Sequence, residues 1–270
     1  MPATLEQIVA AARKRVSEAR SRDLRALERL AAEHKVRGFR ARLEKASASG
    51  TAVIAELKKA SPSRGVIRSD FDVTKLAVEL ESAGAAALSV LTDEQFFQGS
   101  LENLRRASEA TELPCLRKDF IVDEFQLLEA RAHGADAVLL IVAALSQDEL
   151  VGLSQKSREL DLDVLCEVHD EQELRRALDA GCDIIGVNSR DLRTFQVDLD
   201  TPQRLAKLIP GGVFRVAESG IHSGADIRRL RDAGYQAFLV GENLMRAENP
   251  GAALTELLAS SVQQSVRSAR

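Results

Sequence analysis

The chain has 270 residues, 45% hydrophobic and 29% charged, enough apolar material for one large α/β domain or two small ones. Lys and Arg total 37 against 41 Asp and Glu, and the net charge of −4 offers no electrostatic footprint for nucleic acid or an anionic membrane surface. No apolar run approaches the roughly 18 residues of a membrane span, so a cytoplasmic location is the expectation.

At the start, Leu5, Ile8, Val9, Ala12 and Val16 recur at helical spacing among Glu6, Arg13, Lys14, Arg15 and Glu18. That pattern describes a folded amphipathic helix better than a secretory segment or an Arg-rich transit peptide. The stretch LRALERLAAEHKVRGFRARLEKA keeps the helical patterning, so residues 1–47 read as a helical extension that covers the rest.

The segment VIAELKKASPSRG, residues 53–65, opens as an apolar strand and breaks into a Ser/Pro/Gly turn. Side chains alternate along a strand, which puts Ile54, Glu56 and Lys58 on one side and Val53, Ala55 and Leu57 on the other. Unpartnered charges are costly on a buried face, so the first side must open onto solvent or a polar pocket.

Four segments then repeat one grammar of helix end, glycine stop and buried strand: SAGAAALSV, AHGADAVLL, DAGCDIIGV and DAGYQAFLV. Their glycines, Gly84, Gly134, Gly181 and Gly234, lie close to fifty residues apart, room for two βα units each. Intermediate strand-like segments at 52–58, 113–118, 162–168 and 213–218 join those near 86–91, 136–141, 183–188 and 236–241 to make eight. Runs such as VLLIVAAL are continuously apolar, as parallel strands under helices should be. A closed (β/α)8 barrel fits; a doubly wound open sheet competes but lacks a GxGxxG fingerprint after its first strand. No linker divides the chain, so residues 1–270 read as one domain.

In such a barrel the loops after the strands build the active site, so polar residues at strand ends are the ones to collect. Strand one ends with Glu56 and Lys58, strand three with Lys118, strand five with Glu167, strand six with Asn188 and Arg190, and strand seven with Glu218. Alternation continues an inward row in each case: Leu116 with Lys118, Leu165 with Glu167, Gly186 with Asn188, Val216 with Glu218. A solvated strand end accounts for any one of these charges, but not comfortably for five converging ones. Opposite charges in a partly desolvated mouth perturb one another's ionisation, as acid–base chemistry requires. Lys58 and Lys118 suit an oxyanion, Glu167 can take a proton, and Glu56 can hold an ammonium in place.

After strands seven and eight come Ser219, Gly220, Gly241 and Glu242, small residues that expose backbone N–H groups as a phosphate cradle would. A pair of ordinary βα turns is the alternative, and Glu242 suits an anion only if its side chain points away. Phe96, Phe97 and Phe120 follow strands two and three and either pack under a helix or sandwich an aryl group. Cys115, Cys166 and Cys182 lie in apolar segments far apart, and the four histidines show no ligand spacing, so neither disulfide nor metal is expected.

The motifs IAELKKASPSRG, LSVLTDEQFFQGS, LRKDFIVDEFQ, GADAVLLIV, IIGVNSRDL, VAESGI and FLVGENLM together resemble the indole-3-glycerol phosphate synthase family from about residue 50 to 246, and the helical extension fits that family too. The resemblance implies a (β/α)8 barrel that converts 1-(2-carboxyphenylamino)-1-deoxyribulose 5-phosphate into indole-3-glycerol phosphate, CO2 and water without a cofactor, in tryptophan biosynthesis. It implies Lys118 as general acid, Glu167 as general base and Lys58 as a second catalytic lysine positioned by Glu56. Asn188, Arg190 and Glu218 would hold substrate hydroxyls and the reacting carboxylate, while Ser61, Phe97, Phe120 and Leu139 would line the aryl side. Ser219, Gly220, Gly241 and Glu242 would bind phosphate.

Two other readings stay open. A class I aldolase would use Lys118 or Lys58 as a Schiff-base lysine, and a non-catalytic barrel would simply bind a sugar phosphate. The partner expected is a small sugar phosphate, with no nucleic acid and no membrane, and nothing requires more than a monomer.

Overall fold

The computed structural model describes residues 3–19, 24–190 and 200–262. Its barrel strands are β1 (Ala52–Leu57), β2 (Ala87–Leu91), β3 (Cys115–Lys118), β4 (Ala137–Ile141), β5 (Asp163–Val168), β6 (Ile184–Asn188), β7 (Phe214–Glu218) and β8 (Ala237–Val240). Each pairs in parallel with its sequence neighbours, and the sheet closes where Ile54 of β1 opposes Leu239 of β8. The open-sheet alternative is thereby removed. Nearly every strand residue is buried, because helices cover the outside and side chains fill the inside. The strands run within two residues of their expected bounds; β3 starts at Cys115, immediately after Pro114, which has no N–H for a ladder.

Most of the helices that follow the strands start and stop on signals written locally. Asp72, Ser100, Asp123, Ser146, Asp170 and Ser223 each accept a backbone N–H from the first turn that follows, and Ser146 and Ser223 complete capping boxes with Glu149 and Asp226. The four repeat glycines sit at φ of +96°, +84°, +71° and +101° in chain order. At Gly84, for example, the next amide, Ala85 N–H, returns to Leu80 O at 3.0 Å, closing the helix in a left-handed turn that favours glycine.

The N-terminal extension forms three helices, α1 (Leu5–Ala19), α2 (Leu24–Glu33) and α3 (Phe39–Ser49). The helical pattern expected to run on past residue 33 is broken at 34–38, where Gly38 takes φ of +66°. Asp136, just before β4, causes the break energetically: Arg37 Nη2 lies 2.6 Å from its Oδ2 and Arg37 N–H donates to its Oδ1 at 2.7 Å, with His34 Nε2 at 3.2 Å. Buried Asp136 also takes the Cys115 N–H, and despite burial these donors hold its carboxyl below the usual range. Phe39 and Leu43 of α3 are fully buried in the same core as the barrel strands.

At the other end of the extension, Arg15 of α1 bridges the loops after β2 and β3. Its Nη1 donates to Asp93 Oδ2 at 2.7 Å and its Nη2 to Asp119 Oδ1 at 2.9 Å. The extension therefore reaches the rim where the strands end. No helix among the described residues is long and apolar enough to cross a membrane.

Candidate active site

One cavity opens at the C-terminal ends of the strands, and all fifteen candidate site residues line it: Glu56, Lys58, Ser61, Phe97, Lys118, Phe120, Leu139, Glu167, Asn188, Arg190, Glu218, Ser219, Gly220, Gly241 and Glu242. Asp191 and Leu192 of the IIGVNSRDL motif lie outside the described residues.

Strand register builds the centre. Leu91 opposes Lys118, Ile141 opposes Glu167, and Asn188 opposes Glu218, so the polar residues occupy one layer above apolar ones. Lys118 Nζ donates to Glu167 Oε2 at 2.8 Å and stands 3.3 Å from Glu218 Oε2. Asn188 Nδ2 donates to Glu167 Oε1 at 3.1 Å, and its own amide is oriented by the Arg190 N–H, which donates to Asn188 Oδ1 at 3.0 Å. At the end of β1, Lys58 Nζ lies 2.5 Å from Glu56 Oε2.

These contacts split the ionisation of two like groups. Burial opposes both charged carboxylates; for Glu167 it is outweighed by Lys118 and then by His169, so Glu167 stays well below the usual carboxylate range. Among the leading influences on Glu218 from the described residues there is no second cation. Burial and the neighbouring negative Glu167, only partly countered by Lys118, push its carboxyl up to about 8. Lys118 is buried too, yet Glu167, Glu218 and Glu56 raise its pKa and keep it an ammonium.

Glycines make room for these carboxylates. A Cβ on Gly186 would meet Glu218 Oε1 at 2.1 Å, and one on Gly241 would meet Glu56 Oε2 at 2.2 Å. Phe97 and Phe120 face each other with centroids 6.3 Å apart and planes tilted by 37°. Of the two phenylalanines after β2, Phe97 lines the cavity while Phe96 packs on the core.

Directly after Glu218, Ser219 and Gly220 adopt successive left-handed conformations, φ +63° and +71°. Gly241 precedes the short helix Glu242–Arg246. The Glu242 carboxylate is taken up by guanidinium groups: Arg246 Nε at 3.0 Å, Arg64 Nε at 3.3 Å and Arg190 Nη2 at 3.7 Å. Its charge is thus matched by three arginines.

Several contributors escape a reading of strand ends. Asp119 accepts from Arg15, Thr92, Arg117 and the Phe120 N–H, fixing the turn directly after Lys118. Asp93 caps the turn that carries Phe97, accepting from Phe96 N–H at 2.6 Å. His169 and Glu173 stand behind Glu167. In sequence, His169 follows Glu167 by two and precedes Glu173 by four, the spacing of one strand face and one helix turn; that was the available signal.

A parallel eight-stranded barrel with lysines and carboxyls of split ionisation at its C-terminal mouth is a (β/α)8-barrel enzyme of the acid–base kind. Solved barrels share the fold: 3-hexulose-6-phosphate synthase superposes with a TM-score of 0.63 at 15% identity over 78% of this chain and 99% of its own, and thiamine phosphate pyrophosphorylase from Pyrococcus furiosus with 0.56 at 17% over 77% and 93%. The family model for indole-3-glycerol phosphate synthase matches residues 5–257. Indole-3-glycerol phosphate synthase of Koribacter versatilis (strain Ellin345) is 58% identical over 96% of this chain and all of its own, and that of Bordetella pertussis (strain Tohama I) 50% over 93% and 94%. The chain belongs to the indole-3-glycerol phosphate synthase family, and the match includes the helical extension from residue 5.

Proposed function

We propose that this chain closes the indole ring of 1-(2-carboxyphenylamino)-1-deoxyribulose 5-phosphate, with loss of CO2 and water, using Lys118 as general acid and Glu167 as general base. The single observation that supports the assignment is Lys118 held between Glu167 and Glu218 at 2.8 and 3.3 Å.

The chemistry needs those groups in that order. When the carboxyl-bearing aryl carbon attacks the ketose carbonyl, negative charge grows on the carbonyl oxygen. An ammonium in a desolvated mouth stabilises that charge and supplies the proton. Loss of CO2 restores aromaticity in the six-membered ring. The remaining hydroxyl then leaves as water, which requires an acid at the oxygen and a base for the proton lost from the ring system. Glu167, ionised and within reach of Lys118, is that base. Lys58, steadied by Glu56, is the second catalytic lysine, and its place on a different strand of the same cavity suits a second oxygen.

Asn188, Arg190 and Glu218 hold the substrate hydroxyls and the reacting carboxylate. A protonated Glu218 suits that role, since it donates a hydrogen bond to a carboxylate that an ionised one would repel. Ser61, Phe97, Phe120 and Leu139 take the aryl ring, and the tilted Phe pair gives it an apolar wall. Ser219, Gly220, Gly241 and Glu242 bind the phosphate through backbone N–H groups, with Arg64, Arg190 and Arg246 already gathered where the dianion arrives. Anchoring the phosphate makes the two flexible ends meet, a proximity contribution of several kcal/mol, roughly.

A Schiff-base lysine must lose its proton at neutral pH, whereas the carboxylates around Lys118 raise its pKa; this direction disfavours Lys118 as the lysine of an aldolase. The shared core of extension and barrel supports a single domain. The net charge of −4 supports a partner other than nucleic acid, and we take the protein to work as a cytoplasmic monomer without a cofactor.

The test is appearance of indole fluorescence from the carboxyphenylamino substrate. Turnover by the wild-type chain, lost in Lys118→Ala, is the expected result; turnover retained in that variant removes Lys118 from the mechanism. Covalent, substrate-dependent trapping by borohydride would instead favour the aldolase.

A further inference from the structure

We propose that His169, fixed by Glu173, is a positioning residue that keeps the negative charge of the Glu167/Glu218 pair on Glu167 and leaves the proton on Glu218. The proposal rests on the reading that these two carboxyls face the substrate.

The geometry dictates the tautomer first. His169 Nδ1 lies 2.9 Å from Glu173 Oε2, and the same oxygen accepts the His169 backbone N–H at 2.8 Å. Glu173 is itself held in the first turn of the helix Glu171–Asp179, where its N–H donates to Asp170 Oδ1 at 2.8 Å. An atom facing a carboxylate oxygen at that distance must carry a proton, so Nδ1 is a donor.

The second ring nitrogen then points at the site. Nε2 is buried, makes no hydrogen bond among the described residues, and stands at ion-pair distance, 3.3 Å, from Glu167 Oε1. A lone pair there would face a carboxylate oxygen at 3.3 Å, whereas a proton turns the contact into an attraction. The ring is therefore an imidazolium between two carboxylates. Burial opposes that charge, but Glu167 and Glu173 outweigh it and raise the His169 pKa to about 10.

Among the leading influences on the pair from the described residues, His169 is the one cation that acts on one carboxyl and not the other. Lys118 touches both Glu167 and Glu218, and Glu56 in turn acts on Lys118. Asn188 donates to Glu167 alone but is neutral. His169 thus assigns the two roles that one residue type supplies here, an ionised base and a protonated donor.

Nuclear magnetic resonance of the imidazole carbons in the wild-type chain tests the charge directly, with the His169 signal assigned by its loss in His169→Gln. A cationic ring up to pH 8 and above is expected; a midpoint near ~6.5, the free histidine value, overturns the proposal. The kinetic arm is the acid limb of kcat for indole formation. His169→Gln should move that limb upward by about 1–3 pH units with KM nearly constant, and Glu173→Gln should move it the same way by less. A role in packing alone would lower kcat at every pH and leave the limb where it was, which also overturns the proposal. Should His169→Gln not fold, Glu173→Gln and the wild-type titration decide between the same two outcomes, the His169 signal then being identified by its response to Glu173→Gln. Wild-type turnover in Glu167→Gln would instead sink the underlying base assignment, a result distinguishable from an unmoved limb.

Discussion

The ammonium of Lys118 donates to the carboxylate of Glu167 at 2.8 Å across 49 residues of sequence. The two arrive from β3 and β5, with β4 between them, each as the last inward-facing position before its strand gives way to a loop. That meeting brings an acid and a base of the proposed reaction into one hydrogen bond before substrate arrives.

The ionisation split gives a pH prediction. Glu218, pushed up to about 8, is protonated at neutral pH, and Glu167 is not. We expect kcat/KM to fall as pH climbs through about 8, and Glu218→Gln, neutral at every pH, to flatten that alkaline limb. A carboxyl with a raised folded-state pKa contributes stability at acid pH that is lost between the ordinary carboxylate range and about 8. Urea unfolding at pH 5 and pH 9 should therefore show Glu218→Gln gaining on the wild type as pH rises; a constant difference would be the contrary result.

Stability should follow His169 with a defined sign as well. Its pKa is raised from 6.5 to about 10, so its stabilising contribution is complete below 6.5 and disappears as pH rises through 10. Denaturant midpoints of His169→Gln should differ most from the wild type at pH 6 and converge with it by pH 10.

Gly186 and Gly241 are predicted to be intolerant of a single methyl group. An alanine at 241 would meet Glu56 Oε2 at 2.2 Å and one at 186 would meet Glu218 Oε1 at 2.1 Å. Each displaces a buried carboxylate, and at 241 the displaced Glu56 carries the Lys58 ammonium with it. Misplacement by about 1 Å costs on the order of 100-fold in rate. Steady-state indole formation by Gly241→Ala and Gly186→Ala, beside circular dichroism for fold, measures the effect.

Much of this arrangement is legible in the sequence because strand parity is strict. Once eight strands and their direction are known, Lys118, Glu167, Asn188 and Glu218 can only fall on the inner face near the top. The glycine stops announce the helix ends. What parity does not carry is contact between elements remote in sequence. Arg15 looks like one more charge on an amphipathic helix, yet it joins Asp93 and Asp119. His169 is unremarkable by metal-ligand spacing, and its role emerges only when β5 and the helix after it set Glu167 and Glu173 on either side. The break at Gly38 is invisible to helical periodicity because Asp136, which draws Arg37 and His34 toward it, lies about a hundred residues further on.

The Arg15 bridge yields its own expectation. Asp93 and Asp119 are each 1% exposed in their side chains, and Arg15→Ala leaves both short of a donor. The cost should be about 1–3 kcal/mol in urea unfolding. Because the bridge steadies the turns that carry Phe97 and Phe120, KM should rise more than kcat falls. An unchanged KM would detach the N-terminal helix from the substrate wall.

The most direct test of the central claim is a double-mutant cycle on single-turnover indole formation with Lys118→Ala, Glu167→Gln and the double variant. If the ammonium and the carboxylate act as one acid–base unit, each single change costs about 100- to 10,000-fold and the double variant is scarcely slower than the worse of the two. Independent, multiplying losses, or a single variant that turns over at the wild-type rate, would contradict it.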